Sequence, residues 1–197
     1  MTDIVALRGD PPKGADGFTP HDDGFASSED LTRALADTGH FKVHVGAYPD
    51  PHPEAAGPGA DVDWLKRKVD AGAASAITQF FFEADTFFRF RDACVAAGID
   101  VPIIPGILPI QSWSGVRGFA KRCGLVVPKS LRKDFDRACR DGRETLYATA
   151  HCTELCDRLR SGGAEHLHFY TLNRPDMTRD VIHALGLAPE LALENVA

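Results

Sequence analysis

The sequence of 197 residues contains no Cys-x-x-Cys pair, no glycine-rich dinucleotide fingerprint, no excess of basic charge and no apolar run long enough to cross a bilayer. Five cysteines, at 94, 123, 139, 152 and 156, leave one over however they pair, which argues against a disulfide framework and for the reduced thiols of a cytosolic protein. Cys152 and Cys156 stand four apart beside His151, but without a fourth ligand nearby they read as core packing, and no metal is expected. A net charge of -6 and a pI near 5.7 provide no electrostatic footprint for nucleic acid or an anionic membrane. The N-terminus has neither the basic nor the apolar stretch of a secretory leader, so the expected location is the cytoplasm.

What is present is one event repeated. Ile4-Val5-Ala6-Leu7 is a run of four apolar residues, the pattern of a parallel strand covered on both faces, and it is released into Arg8-Gly9-Asp10. Further strands are expected over 41–47, 75–81, 101–104 and 166–170. Each ends in polar, glycine or proline residues, where α/β folds place their chemistry. Between them lie helical signatures. Ser27 and Ser28 cap a helix that Gly39 ends, and 61–71 is amphipathic, with Val62, Leu65 and Val69 on one face and Lys66, Arg67 and Lys68 spread over the rest. Helices are also expected over 84–97, 112–123 and 128–161, the last broken near Gly142. A β-α-β-α order without tight hairpins predicts a parallel sheet with right-handed crossovers.

Five motifs occur together and in order: Ala6-Leu7-Arg8-Gly9-Asp10, Ala47-Tyr48-Pro49 through His52-Pro53-Glu54-Ala55, Ile77-Thr78-Gln79-Phe80-Phe81-Phe82, Ile104-Pro105-Gly106-Ile107 and His168-Phe169-Tyr170-Thr171-Leu172-Asn173. In these the chain resembles the methylenetetrahydrofolate reductases, from about Ile4 to Leu187. The resemblance implies a (β/α)8 TIM barrel, here an incomplete one covering roughly strands 4 to 8 in a single domain over 1–197. It also implies FAD as cofactor, NAD(P)H as hydride source and methylenetetrahydrofolate as substrate.

The same resemblance assigns residues. Arg8, Gly9 and Asp10 would lie against the flavin, with Asp10 tuning flavin and folate electrostatically as the catalytic carboxylate. Ala26, Tyr48, His52, Asp61, Arg67 and Lys68 would complete the FAD contacts, Arg67 and Lys68 offering donors to phosphate oxygens. Asp10, Gln79, Phe119 and Arg174 would face the folate: Gln79 with a donor and an acceptor, Phe119 as a stacking ring, Arg174 as a fork for a tail carboxylate.

A complete barrel typically takes about 250 residues. Set against the family, the chain is expected to begin at the fourth strand and to lack the N-terminal part of the barrel, together with the glutamate that serves as general acid. On that expectation flavin retention is weak, and a homo-oligomer or a partner supplies the missing strands. Two other classes are kept open. One is a non-catalytic remnant or interaction subunit, and the other a metal-dependent hydrolase suggested by the same-face pair in His166-Leu167-His168.

Overall fold

The computed structural model describes residues 2–9, 11, 14 and 17–187. Strands β1 (Asp3–Ala6), β2 (Lys42–Ala47), β3 (Ser75–Thr78) and β4 (Ile103–Ile104) form a parallel sheet in sequence order, and β5 (Gly106–Ile107) pairs in parallel with β6 (His168–Phe169). Only Pro105 separates β4 from β5. Having no N–H, it interrupts the ladder, while its carbonyl accepts from His168 N at 3.0 Å. One extended segment thus serves β3 on one side and β6 on the other. Each new strand is added on the same side as the last, with none of the order reversal of a doubly wound sheet, which is the arrangement of a partial TIM-like barrel.

Helices α1 (Ser28–Asp37), α2 (Ala60–Asp70) and α3 (Ala84–Ala96) follow β1, β2 and β3, and β5 leads into α4 (Trp113–Arg122), α5 (Lys129–Arg140) and α6 (Glu144–Ser161). Local chemistry explains the starts: the Ser27 side chain accepts from Asp30 N, and Ser112 does the same from Gly115 N. The break expected near Gly142 separates α5 from α6. Helix α7 (Asp176–Ala184), which periodicity did not suggest, follows β6 and packs on α6. Among the described residues no helix is long and apolar enough to cross a membrane.

Two cores result. Val43, Val45, Ala47 and Ala76 meet Leu65, Phe90 and Cys94 on the helix side of the first sheet. Phe80, Phe87, Trp113, Phe135, Cys152, Cys156 and Leu159 belong to a second, more aromatic core around α4, α5 and α6. The expectation that β1 is covered on both faces is corrected. Ala6 is buried, but Val5 is 48% and Leu7 58% exposed, because the helices cover one face of the sheet only. On the other face His44 bridges neighbouring strands, with Nδ1 2.7 Å from Ser75 Oγ and Nε2 3.1 Å from Asp3 Oδ1.

Candidate active site at the strand ends

The turns after β1 and β2 are joined by polar contacts. Arg8 donates to Glu54 at 2.7 Å, and this guanidinium holds the Glu54 carboxyl below its ordinary range. The Glu54 N–H donates to His52 Nδ1 at 3.1 Å, and the His52 N–H donates to Asp61 Oδ2 at 3.1 Å. The Tyr48 and His52 rings meet edge to face with centroids 4.7 Å apart. Arg8, Tyr48, His52 and Asp61 therefore come together at the strand ends. Glu54, which was assigned no role, is what connects Arg8 to His52. Its signal in the sequence is only a carboxylate in a proline-restrained loop opposite an arginine turn.

Gly9 has φ +81°, and a Cβ built on it meets nothing within 4 Å, so the turn needs glycine for its backbone and leaves open space beside it. Asp10 lies outside the described residues. Ala26 is exposed, just ahead of the Ser27 cap.

Arg67 and Lys68 do not act as a pair. Arg67 reaches Glu29 of α1 and lies over the Trp64 ring at 4.1 Å. Lys68 is 7% exposed and donates to the Gly46 carbonyl of β2. Burial lowers its pKa from the ordinary 10.5 to about 8, against the opposing influence of Asp61. The expectation that both offer donors to phosphate oxygens is corrected for Lys68: adjacent helical residues point about 100° apart, and the second of them faces the sheet. Asp50, in the loop after β2, is half-buried, and its carboxyl is raised by burial.

Gln79 follows β3. Its N–H donates to Ala47 O at 2.7 Å, and its side-chain carbonyl accepts from Phe80 N at 3.0 Å. Phe119 on α4 stacks on Phe80 with centroids 5.3 Å apart and planes 11° from parallel, so one face of its ring is already covered. Gly124, just beyond α4, sits against the ring of Pro53, which brings this segment to the loop that carries His52. Arg174 is exposed and is tied to the loop before α4: its carbonyl accepts from Gln111 at 2.9 Å. Leu172 and Asn173, both left-handed at φ 49° and 61°, make the turn that delivers it.

His168 packs its ring on Tyr170 at 4.8 Å. Among the described residues no group of three or more His, Cys, Asp or Glu is placed to hold a metal ion. Two cavities lie off the strand ends. One is a notch of about 190 Å³ between the start of α3 and the α5–α6 pair, and the other a groove of about 700 Å³ lined by Arg117, Lys121 and Arg132.

Residues 1–186 match the family model described as "Methylenetetrahydrofolate reductase". The 5,10-methylenetetrahydrofolate reductase of Escherichia coli (strain K12) is 43% identical over 189 residues, 95% of this chain and 62% of that protein. That of Pectobacterium carotovorum is 42% identical over 190 residues, 96% of this chain and 62% of that protein. A solved structure titled "Uncharacterized protein from Clostridium thermocellum binds two copies of 5-methyl-5,6,7,8-tetrahydrofolic acid" shares the fold at a TM-score of 0.62 and 15% identity, over 93% of this chain and 71% of its own. The chain thus spans about three fifths of the length of the two bacterial relatives. The expectation of a truncated member, matched from about Ile4 to Leu187, is corrected to what the matches support: the family model covers residues 1–186 and the bacterial relatives align over 95–96% of this chain. The chain belongs to the methylenetetrahydrofolate reductase family.

Proposed function

We propose that this protein acts in the cytoplasmic, FAD-dependent reduction of 5,10-methylenetetrahydrofolate to 5-methyltetrahydrofolate, with NAD(P)H as the source of hydride. The observation that carries the reading is the linked set Arg8, Glu54, His52, Asp61 and Tyr48 at the strand ends, in a chain of this family. Bound FAD would supply a ring that takes up a hydride and passes it on.

The residues fit that group in the main. Gly9 leaves room for a flat ring, Tyr48 and His52 offer ring faces and edges, and Arg67 is an exposed cation for a phosphate. Lys68 departs from its assigned role, since its ammonium is committed to Gly46 O. Its part is to anchor α2, and with it Asp61, against β2. In this reading Asp10 sets the charge beside the reacting rings. The Gln79 amide nitrogen has no protein partner among the described residues and donates to the pterin, and Arg174 pairs with a tail carboxylate.

The test is the visible spectrum of the purified protein, followed by anaerobic addition of NADH and, separately, of NADPH. A flavin band that bleaches with one of them is the expected result, and which one bleaches it faster names the donor. Colourless protein that takes up no added FAD overturns the reading.

A further inference from the structure

Tyr170 was assigned no role, yet its side chain makes the longest reach at the strand ends. It follows β6, and its hydroxyl donates to the Thr78 carbonyl at the end of β3, 2.9 Å away. Between β3 and β6 lies Gly106 of β5, and the phenol crosses above it. A Cβ on Gly106 would fall 2.0 Å from Thr78 O and 2.6 Å from Tyr170 Cε2. Gly106 carries no left-handed φ, so the position needs glycine for space rather than for backbone conformation. Two further bonds close the arrangement: Gly106 N donates to Thr78 Oγ1 at 2.8 Å, and Tyr170 N donates to Ile107 O at 2.8 Å. Thr78 is fully buried.

The β3–β4 ladder stops at Pro105 and the Gly106 N–H goes to Thr78 Oγ1, so it is the Tyr170 hydroxyl that supplies a donor to the Thr78 carbonyl. What the bridge adds is control of a single peptide unit. The Thr78 carbonyl belongs to the Thr78–Gln79 peptide, whose N–H is held by Ala47 O at 2.7 Å. That peptide is thus pinned at both ends, from β2 on one side and from Tyr170 on the other. The next bond along the chain sets the Gln79 side chain, whose carbonyl is turned back onto Phe80 N, leaving the amide nitrogen as a donor with no partner among the described residues.

We infer that Tyr170 is a positioning residue: through the Thr78 carbonyl it fixes the Thr78–Gln79 peptide and so the direction in which Gln79 presents its amide to a pterin. The inference rests on the proposed folate site for the identity of the ligand, and on the bridge alone for the geometry. Burial, with Tyr48 nearby, pushes the Tyr170 hydroxyl up to about 12, so it remains a donor at any working pH.

The test uses Tyr170→Phe, which deletes one oxygen. In the ligand-free protein, the side-chain amide signals of Gln79, assigned through Gln79→Ala, are read by ¹⁵N NMR. In parallel, 5-methyltetrahydrofolate binding is measured by calorimetry for Tyr170→Phe, Gln79→Ala and the double variant, with FAD uptake as a control. The expected result is that Tyr170→Phe broadens or splits the Gln79 signals and weakens folate binding about five- to tenfold, the size of one lost hydrogen bond, while FAD uptake is unchanged. In the Gln79→Ala background Tyr170→Phe should then have no further effect on folate. Unchanged Gln79 signals, or additive losses in the double variant, overturn the inference.

Should Tyr170→Phe fail to fold, a fluorinated tyrosine at 170 keeps the ring and ionises at lower pH. The Gln79 signals should then change reversibly as that phenol loses its proton, and their failure to do so also overturns the inference. Absence of folate binding by the unaltered protein counts against the proposed function, and the Gln79 signals then decide the positioning role by themselves.

Discussion

The two halves of the sheet are held together by different means. In the first, β1, β2 and β3 pair through four-residue registers, and the side chains they turn toward the helices are small: Ala6, Val43, Val45, Ala47 and Ala76. In the second, β4, β5 and β6 are two residues each, and mutual support comes from aromatic stacking, with Trp113 on Phe135 at 4.4 Å and Phe119 on Phe80 at 5.3 Å. Where backbone ladders are short, large buried rings replace them, since one aromatic side chain removes more apolar surface from water than several alanines. The candidate site straddles the boundary. Arg8, Tyr48 and His52 come from the ladder half, Phe119, Tyr170 and Arg174 from the aromatic half, and Gln79 stands where they meet.

The largest break in this comparison should come from Phe135→Ala. The ring is fully buried between Trp113 and Tyr147, and its loss is expected to cost about 3–5 kcal/mol in urea denaturation. The tryptophan signal of Trp113 should report the change first.

Lys68→Met tests the charge buried in the ladder half: it deletes the bond to the Gly46 carbonyl that anchors α2, but below pH 8 it also removes a burial cost of up to about 3 kcal/mol, that of lowering a lysine pKa from 10.5 to about 8. Between those two values the unfolded chain holds a proton that the folded one lacks, so the stability of the unaltered protein rises with pH and the variant should lose up to about 3 kcal/mol relative to it between pH 8 and 10.5. Denaturation curves at pH 7, 9 and 10.5 check the sign. A constant difference across that range would show that Lys68 is not held at a lowered pKa.

Val45→Ala removes two buried carbons from β2 and should cost about 2 kcal/mol, less than Phe135→Ala because the neighbouring ladder hydrogen bonds are untouched. The smallest effect belongs to Glu54→Gln. The side chains of this exposed pair lie at the surface, so the denaturation midpoint should not move, while FAD uptake should weaken as Arg8 loses its charged partner, His52 keeping its bond from the backbone N–H of residue 54. Equal FAD affinity in this variant would separate the polar set at the strand ends from cofactor binding.

Much of this was legible along the chain because it is local. The serine cap at Ser27, the glycine stop at Gly39, the amphipathic stripe of Val62, Leu65 and Val69 and the strand-helix alternation all depend on neighbours within a turn or two. Helix α7 escaped because Met177 and Val181 are its only buried apolar side chains, too sparse a pattern to show a period. The burial of Lys68 is not legible because nothing in a run of three basic residues shows which one faces the sheet.

The alternation of strands and helices as far as α6, the parallel topology and the placing of polar residues at strand ends follow from the sequence alone, since periodicity and turn chemistry act over a few residues. Four features came only with the tertiary structure: the division of Ile103–Ile107 between two partner strands at Pro105, the exposure of Val5 and Leu7, the separation of Arg67 from Lys68, and the reach of Tyr170 over Gly106 to Thr78. Each depends on what lies across the sheet from a residue, and that is set by packing between segments many residues apart.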